Sequence, residues 1–287
     1  MSLATEFKQS LKTVDSEEIL DLIIFRPISF VLVKLIYNTN ITPNQISSVA
    51  LMFGILTGIL YGFGTHEFFI FASVSFIICN TLDCMDGQLA RLKKNGTKIG
   101  RVVDGFIDYI TSISVFVGIG IAITSITGDA FYSWTLTIAA GISKALQNMF
   151  FDHYRNMYLE NVYHKVSSLE EEIEEYSEEK ERLKNVKGKY LEKFLISIYL
   201  AYSNFQKNST KHIELNVTPE EYKSKNKLLL RCWSWLGSTT HMVLLIVFSV
   251  INRIDLYLIV TITLGNFIFI ILMVWQKSVI KNLSSKK

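Results

Sequence analysis

Residues 80–110 of this 287-residue chain read NTLDCMDGQLARLKKNGTKIGRVVDGFIDYI. The stretch carries Asp83, Asp86, Asp104 and Asp108, and long apolar segments lie on both sides of it. Ionisable side chains at membrane depth are costly, and they usually mark a functional site. The stretch therefore predicts a site built from carboxylates at the boundary of a membrane-embedded protein.

Apolar segments of about 20 residues, the length that crosses a bilayer as a helix, recur along the chain. Six are predicted: 45–65, 68 into the aspartate stretch, 109–128, one that begins near 131 and is interrupted by Lys144, 232–251 and 256–276. Hydrophobic residues make up 49% of the chain. The sequence therefore predicts an all-α integral membrane protein with six transmembrane helices.

Lysine and arginine are distributed unevenly between the two sides of these segments. The connections 62–67, 127–130 and 252–255 hold a single basic residue of this kind, Arg253, whereas the opposite connections and the C-terminal tail are rich in both. Because such residues are retained on the cytoplasmic side, both termini and the aspartates are predicted to be cytoplasmic. The basic residues follow topology and form no patch interleaved with aromatic side chains, so nothing indicates nucleic-acid binding.

Four regions are predicted: the cytoplasmic N-terminus with an interfacial helix (1–41), transmembrane helices 1–4 with the aspartates (42–152), a cytoplasmic helical insert (153–226), and transmembrane helices 5–6 with a basic tail (227–287). Residues 16–39 are apolar but broken by charges and a proline, as is typical of a helix that lies on the membrane surface. Thr42, Pro43 and Gln45 predict a capping box that begins the first span.

The predicted insert contains a strongly helix-forming segment, 167–205. Apolar residues recur there near a three-four spacing, which predicts an amphipathic helix, or a helical hairpin that packs on itself or on a partner. Gly188 is the predicted turn. In the first span, Gly54, Gly58 and Gly62 form two successive G-x-x-x-G units, a close-packing face that serves either within one subunit or between two.

The spacing of the aspartates favours a metal site. Asp83 and Asp86 are three residues apart and Asp104 and Asp108 are four apart, so each pair shares one face of a helix. A connection of about ten residues folds the two helices into an antiparallel pair, which brings the four carboxylates together. Oxygen ligands at this density suit Mg²⁺, Mn²⁺ or Ca²⁺, and two such ions would form a clamp for displacement at phosphorus.

Small residues accompany the carboxylates. Gly87, Ala90 and Gly100 leave a notch in which a ligand can approach the backbone closely. Arg91 lies at the end of the helix, where its guanidinium can bind a phosphate oxygen. Metal ligands, a notch and an arginine together predict a pyrophosphate site.

The full pattern is Asp83-x2-Asp86-Gly87-x2-Ala90-Arg91-x8-Gly100-x3-Asp104-x3-Asp108. At every fixed position it resembles the signature of the CDP-alcohol phosphotransferase (CDP-alcohol phosphatidyltransferase) family. The resemblance covers roughly 16–152 and 227–276, whereas the long 153–226 segment departs from the family, in which this connection is usually short.

The resemblance implies that Asp83, Asp86, Asp104 and Asp108 hold two divalent cations, Mg²⁺ or Mn²⁺, with Asp108 as general base. It implies that CDP is contacted by Gly87, Ala90, Arg91 and Gly100. The implied reaction moves a phosphate-linked group from a CDP-activated donor to a hydroxyl and releases CMP, in phospholipid biosynthesis. A homodimer is also implied.

The motif does not select the acceptor alcohol. Lys144 interrupts the fourth span and could bind an anionic acceptor, or it could extend to the interface; SKAL (143–146) resembles an element of phosphatidylinositol-phosphate synthases. Arg231 is a second candidate for binding the acceptor, or else a basic flank of the fifth span. The predicted donor is CDP-diacylglycerol, and the leading predicted acceptor is inositol phosphate. Glycerol phosphate and serine stay open as acceptors.

Other functions stay open as well. CDP-choline or CDP-ethanolamine with diacylglycerol as acceptor would use the same site. A divalent-cation carrier would also need intramembrane carboxylates, although the internal repeats and broken helices usual in carriers are not visible here. A third alternative is a docking protein whose catalytic core is a relic.

Overall fold

The computed structural model describes residues 2–96, 98–163, 169–184, 186–209 and 217–284. Of the described residues, 87% are helical and none forms a strand, which confirms the predicted all-α fold. The elements are α1 (Leu3–Ser10), a π-helical turn (Asp21–Phe25), α2 (Arg26–Ile36), α3 (Pro43–Gly62), α4 (His66–Lys93), α5 (Lys98–Thr127), α6 (Ala130–Tyr163), α7 (Leu169–Leu183), α8 (Tyr190–Ser209), α9 (Pro219–Trp233), a 3₁₀ turn (Ser234–Leu236), α10 (Ser238–Val250), α11 (Ile254–Val260), a second π-helical turn (Thr261–Gly265) and α12 (Asn266–Ser284).

Several helices are long and apolar enough to cross a bilayer. Five such segments occur among the described residues: Pro43–Gly62, His66–Lys93, Val102–Thr127, Pro219–Val250 and Ile254–Ser284. The chain is therefore a multi-pass integral membrane protein. The predicted fourth span lies in α6, which Lys144 interrupts and which is not among these segments. The total of six spans stays a prediction.

Helix α3 begins as the sequence predicts. Thr42 Oγ1 accepts a hydrogen bond from the Gln45 N–H (3.4 Å), and Gln45 Oε1 accepts one from the Thr42 N–H (3.0 Å), which completes a capping box with Pro43 in the first turn. These bonds satisfy two of the backbone donors that a helix N-terminus leaves free. The capping box fixes where the helix starts.

The glycine face of α3 packs within the subunit, against α5. A Cβ atom at Gly54 would lie 2.2 Å from Thr111 Oγ1, and one at Gly58 would lie 2.3 Å from the Ser114 carbonyl oxygen. Small residues at such positions allow two helix backbones to approach closely. Because α3 also packs along α4, it holds in place both helices that carry the aspartates.

The N-terminal helices lie against α4. Ser29 Oγ of α2 donates to the Thr81 carbonyl (2.7 Å), while Ile28, Val31 and Leu35 leave an apolar face of α2 exposed. A charged chain segment beside an exposed apolar helix face suits the membrane surface. The interfacial position of this helix stays a prediction.

The insert contains a helical hairpin, as one of the sequence alternatives predicts. α7 packs on α8, Tyr199 Oη donates to Glu172 Oε2 (2.9 Å), and Gly188 takes a positive φ of 84° in the connection. The hairpin also packs on the first turns of α5 through a cluster that includes Val102 and Phe106. α6 continues to Tyr163 and α9 begins at Pro219, and the predicted domain limits of the insert stay a prediction.

Candidate active site

Three aspartates from two helices meet near the connection between α4 and α5. Asp83 and Asp86 of α4 and Asp104 of α5 each offer a carboxylate oxygen, and these oxygens all lie within 4.8 Å of one another. Asp86 is buried, Asp83 is half-buried and Asp104 is exposed. The three-residue spacing on α4 points both of its carboxylates toward α5.

A hydroxyl from a third helix completes this cluster. Ser47 Oγ of α3 donates to Asp86 Oδ2, and both side chains are buried. A hydrogen bond to a buried carboxylate fixes its orientation and stabilises its charge. Sequence reasoning missed Ser47, because nothing in its local pattern relates it to a residue 39 positions later.

The fourth aspartate lies in a cavity that the cluster shares. Asp83 and Asp108 both line a small cavity of about 30 Å³ that is partly open to solvent, together with Lys144. Its other lining residues are Ala50, Phe76, Cys79, Asn80, Ile107, Thr111, Ser112, Ser238 and Met242. Asp108 is not part of the three-carboxylate group, and Asp83 links that group to the cavity.

Lys144 faces the carboxylates from α6. It is buried, its Nζ donates to Ser112 Oγ (2.9 Å), and it lies 5.8 Å from the centroid of the Phe116 ring. A buried ammonium beside an open cavity requires anionic or polar partners. The structure thus brings this predicted acceptor-binding residue to the same cavity as Asp108.

The predicted CDP-binding residues lie around the end of α4. A Cβ atom at Gly87 would lie 3.1 Å from Arg91 Nη2, so glycine leaves room for the guanidinium. Arg91 Nε donates to the Ser10 carbonyl, and Arg91 Nη2 is buried with no acceptor among the described residues. Ala90 and Gly100 are half-buried. Gly100 lies in the first turn of α5.

Arg231, the second predicted acceptor-binding residue, does not line the cavity. Its guanidinium donates to two backbone carbonyls of the N-terminal segment, those of Val14 and Glu17, the latter at 3.0 Å. In this structure Arg231 therefore fastens the N-terminal segment to α9. Its role toward an acceptor stays a prediction.

Two neighbouring glutamates of that segment lie in opposite electrostatic environments. Burial raises the pKa of Glu17, but the Arg26 guanidinium 3.0 Å away and a hydrogen bond from the Lys12 N–H outweigh it and hold that pKa below its usual value. Burial and the charge of Asp21 raise the pKa of Glu18 well above its usual value. The first glutamate is an ion-pair partner, and the second is a buried acceptor for the Thr239 N–H (3.1 Å).

The donor set fits divalent cations that prefer oxygen. Three carboxylate oxygens within 4.8 Å match the hard ligands that Mg²⁺ and Mn²⁺ take in proteins. Left without a counter-ion, like charges at this separation repel one another strongly in a site with little water. Asp83, Asp86 and Asp104 are therefore the residues that would hold such an ion.

A second polar group in the bundle has a different character. His241 Nε2 donates to Gln147 Oε1 (2.9 Å), Gln147 Nε2 donates to Asn266 Oδ1 (2.9 Å), and Asn266 Nδ2 donates to Ser143 Oγ (3.0 Å). A Cβ atom at Gly265, in the second π-helical turn, would lie 2.9 Å from Gln147 Nε2. These residues, here called the amide network, tie α6 to α10 and α12.

A comparison with known families agrees with the motif. A family model described as CDP-alcohol phosphatidyltransferase matches residues 40–166. This range contains α3 to α6 with all four aspartates, and it leaves out the N-terminal segment and every helix from α7 to α12. No curated protein shows a significant match to the chain.

Proposed function

Because this chain belongs to the CDP-alcohol phosphatidyltransferase family, we propose that it transfers a phosphatidyl group from CDP-diacylglycerol to a phosphorylated polyol such as inositol phosphate. Membership of this family makes the chain an enzyme that moves a phosphatidyl group from a CDP-alcohol to an acceptor. The choice of donor and acceptor is supported by the cavity that Asp83, Asp108 and Lys144 line. This cavity lies beside the carboxylate cluster, which is formed by Asp83, Asp86 and Asp104.

The carboxylates would bind and polarise the donor. Asp83, Asp86, Asp104 and Asp108 would hold two divalent cations, Mg²⁺ or Mn²⁺, whose charge stabilises the diphosphate and the departing CMP. Ser47 orients the Asp86 carboxylate. Arg91 would donate to phosphate oxygens through Nη2, for which the described part of the chain offers no acceptor, and Gly87 leaves space for the approach.

Asp108 is proposed as the general base. As the acceptor oxygen forms its bond to the phosphorus of the phosphatidyl group, the Asp108 carboxylate takes the hydroxyl proton, and the bond from that phosphorus to the CMP oxygen breaks. Proton transfer of this kind needs hydrogen-bond reach in the assembled site. The exposure of Asp108 leaves its oxygens accessible to a hydroxyl in the cavity.

The acceptor is inferred from the charge of the opposite wall. The buried Lys144 ammonium lines the same cavity as Asp108, so an acceptor whose phosphate faces Lys144 would present a hydroxyl toward Asp108. A neutral lipid such as diacylglycerol would bring no negative charge to that ammonium, which would then have only the polar groups and carboxylates of the site itself as partners. Lys144 therefore favours a phosphorylated acceptor.

Orientation and assembly complete the proposal. The distribution of Lys and Arg supports an active site and termini on the cytoplasmic side, where a water-soluble acceptor is available. We propose a homodimer on the basis of the family. Its interface would not use the glycine face of α3, because Gly54 and Gly58 already pack on α5.

The purified protein in lipid nanodiscs tests this function. CMP release is measured with CDP-diacylglycerol and Mg²⁺ or Mn²⁺ against inositol phosphate, glycerol phosphate, inositol and serine. Separate arms supply CDP-choline or CDP-ethanolamine with diacylglycerol. We expect release with CDP-diacylglycerol and a phosphorylated acceptor. Release only with CDP-choline or CDP-ethanolamine would overturn the assignment of donor and acceptor, and no release in any arm would overturn the proposed substrates altogether.

A further inference from the structure

The two helices of the hairpin, which lies outside the family match, differ in their exposed surfaces. Every exposed residue of α7 is polar or charged, as is usual for a helix in water. The inner face of α8 is buried against α7 and α5, and it includes Leu195, Ile196 and Leu200. The packing of the hairpin therefore uses one face of α8 and leaves the opposite face outside.

That opposite face of α8 is also apolar. Tyr190, Phe194, Ile198 and Phe205 are 76%, 55%, 36% and 56% exposed, and Ala201 between them is exposed as well. Their spacing of three or four residues places all five on one side of the helix. We call these five residues the outer stripe. It runs for about 22 Å at 1.5 Å per residue, and exposed apolar surfaces of this kind mark interaction sites.

The outer stripe lies beside the start of a membrane-spanning segment. The apolar segment of α5 begins at Val102, which is part of the cluster that packs α5 on the hairpin. The ring of Phe194 meets that of Phe106 edge to face, with the centroids 6.2 Å apart. The rings of Tyr202 and Tyr109 are 5.5 Å apart in the same manner. α8 therefore contacts the first two turns of this span.

The span has an exposed apolar row of its own, which begins at these contacts. Tyr109, Ile113, Val117 and Ile121 recur every four residues and are all at least 42% exposed. On a helix that crosses a bilayer, such a row suits contact with lipid chains. Because Tyr109 touches Tyr202, the apolar surface of the span continues onto α8 where the span enters the membrane.

The charges of the hairpin also favour lipid as the partner of α8. Its single acidic residue, Glu192, lies on the side opposite the outer stripe and pairs with Lys189 (2.8 Å). Glu171, Glu174 and Glu178 are exposed on α7 instead. A surface that carries anionic lipids repels carboxylates, so α8, and not α7, is suited to face the bilayer.

We propose that the outer stripe inserts into the membrane leaflet nearest the α4–α5 connection. The apolar side chains would lie about 5–10 Å deep, at the boundary of headgroups and acyl chains, as in other interfacial helices. The hairpin then rests on the bilayer and is held against α5, the helix that carries Asp104 and Asp108. The proposal does not depend on the choice of donor and acceptor, and its test needs no turnover.

Fluorescence quenching tests this position in the whole protein. Phe205→Cys and Ile198→Cys are made separately in a Cys232→Ser background, in which the remaining cysteines, Cys79 and Cys84, are buried. Each protein is labelled with bimane and placed in lipid nanodiscs, and the labelling of the background is subtracted. Quenching is measured with nitroxide lipids, labelled at a shallow or a deep position of the acyl chain, and with iodide in the water.

Two labelled positions serve as controls. Ile113→Cys reports the lipid-facing row of α5, about 16 Å further along the helix than Val102, and Glu178→Cys reports the polar surface of α7. We expect Phe205 and Ile198 to be quenched most by the shallow nitroxide, and Ile113 by the deep one. Iodide should quench both α8 positions several-fold less than Glu178.

Two results would overturn the proposal. Iodide quenching at the α8 positions equal to that at Glu178 would place the outer stripe in water. Protection from iodide and from both nitroxides would show that protein covers it, and disulfide formation between two Phe205→Cys chains would identify that protein as a second copy. Since both side chains are exposed, neither substitution removes a core contact, and either position alone decides the result.

A charged substitution tests whether lipid holds α8 in place. Ile198→Glu puts a carboxylate into the stripe, where immersion in lipid is costly, and Ser177→Glu makes the matched change at an exposed position of α7. In nanodiscs, Ile198→Glu should speed amide hydrogen exchange in α8 several-fold, while Ser177→Glu should leave it unchanged. Equal exchange in α8 of wild type and Ile198→Glu would contradict a membrane contact.

Discussion

The carboxylate cluster and the amide network both place polar side chains among apolar helices, but they differ in how hydrogen-bond donors and acceptors are paired. In the amide network Gln147 and Asn266 donate and accept in turn, so each contact pairs a donor with an acceptor. In the cluster, Asp83, Asp86 and Asp104 bring acceptors against acceptors. The comparison teaches that a matched network completes a fold, whereas an unmatched, like-charged cluster requires a ligand.

The largest expected effect lies at the proposed general base. Asp108→Asn keeps the size of the side chain but removes the proton acceptor, so CMP release should fall about a hundredfold or more. The thermal unfolding temperature should not fall, since a like charge is removed. Asp129→Asn, in the exposed connection before α6, is the control and should keep full activity. Undiminished CMP release from Asp108→Asn would refute the role of this residue.

The next largest effect tests the helix that supports the cluster. Gly58→Ala places a Cβ atom against the backbone of Ser114, so α3 and α5 must separate, and overpacking of this kind costs about 1–3 kcal/mol. CMP release should fall together with the unfolding temperature. Gly62→Ala is the matched control, because its nearest neighbour would be the Gly118 Cα at 3.9 Å. Equal behaviour of the two variants would contradict the packing argument.

A change in the amide network should affect stability alone. Gln147→Ala removes a partner from both His241 and Asn266, and unsatisfied buried polar groups cost about 1–3 kcal/mol each. We expect a lower unfolding temperature, with CMP release per folded molecule nearly unchanged. Added Mg²⁺ should not restore the stability. A selective loss of turnover in a fully folded Gln147→Ala protein would instead assign this network to the active site.

The smallest expected effect is an increase in the unfolding temperature, where the amide-network variant should show a decrease. Asp83→Asn removes one like charge from the cluster, so in a metal-free buffer we expect a slightly higher unfolding temperature than that of the wild type. Mg²⁺ should raise the unfolding temperature of the wild type more than that of Asp83→Asn, because a ligand stabilises only the state that binds it. An identical response to Mg²⁺ in both proteins would count against a metal site here.

Local patterns predicted the elements, and the spacing of the aspartates on consecutive helices predicted the cluster. The capping box at Thr42, the hairpin turn at Gly188 and the all-α fold all depend on residues close in sequence, and each is found. The two aspartate pairs were predicted to converge because they lie on consecutive helices. Three of the four meet in one group, and Asp108 reaches it through the cavity.

Contacts between distant segments could not be predicted in this way. Ser47 contacts Asp86, and the Ser10 carbonyl contacts Arg91, only because α3 and the N-terminal segment pack on α4. Neither contact leaves a periodic signal in the sequence. For the same reason, the sequence could not show whether the glycine face of α3 packs within one subunit or between two subunits. Whether α6 crosses the membrane could not be decided from the sequence for another reason. Lys144, which lines the cavity, lowers the mean hydropathy of this segment.

The close packing of α3 on α5 has a consequence for ion selectivity. The gap between the aspartates of α4 and those of α5 follows from how near α5 approaches α3, and two missing methyl groups, at Gly54 and Gly58, set that approach. The size of cation that the proposed site accepts would then depend on α3, a helix that contributes no carboxylate to the site. Substitutions on α3 are therefore expected to change which cation the proposed metal site prefers while every proposed ligand stays in place.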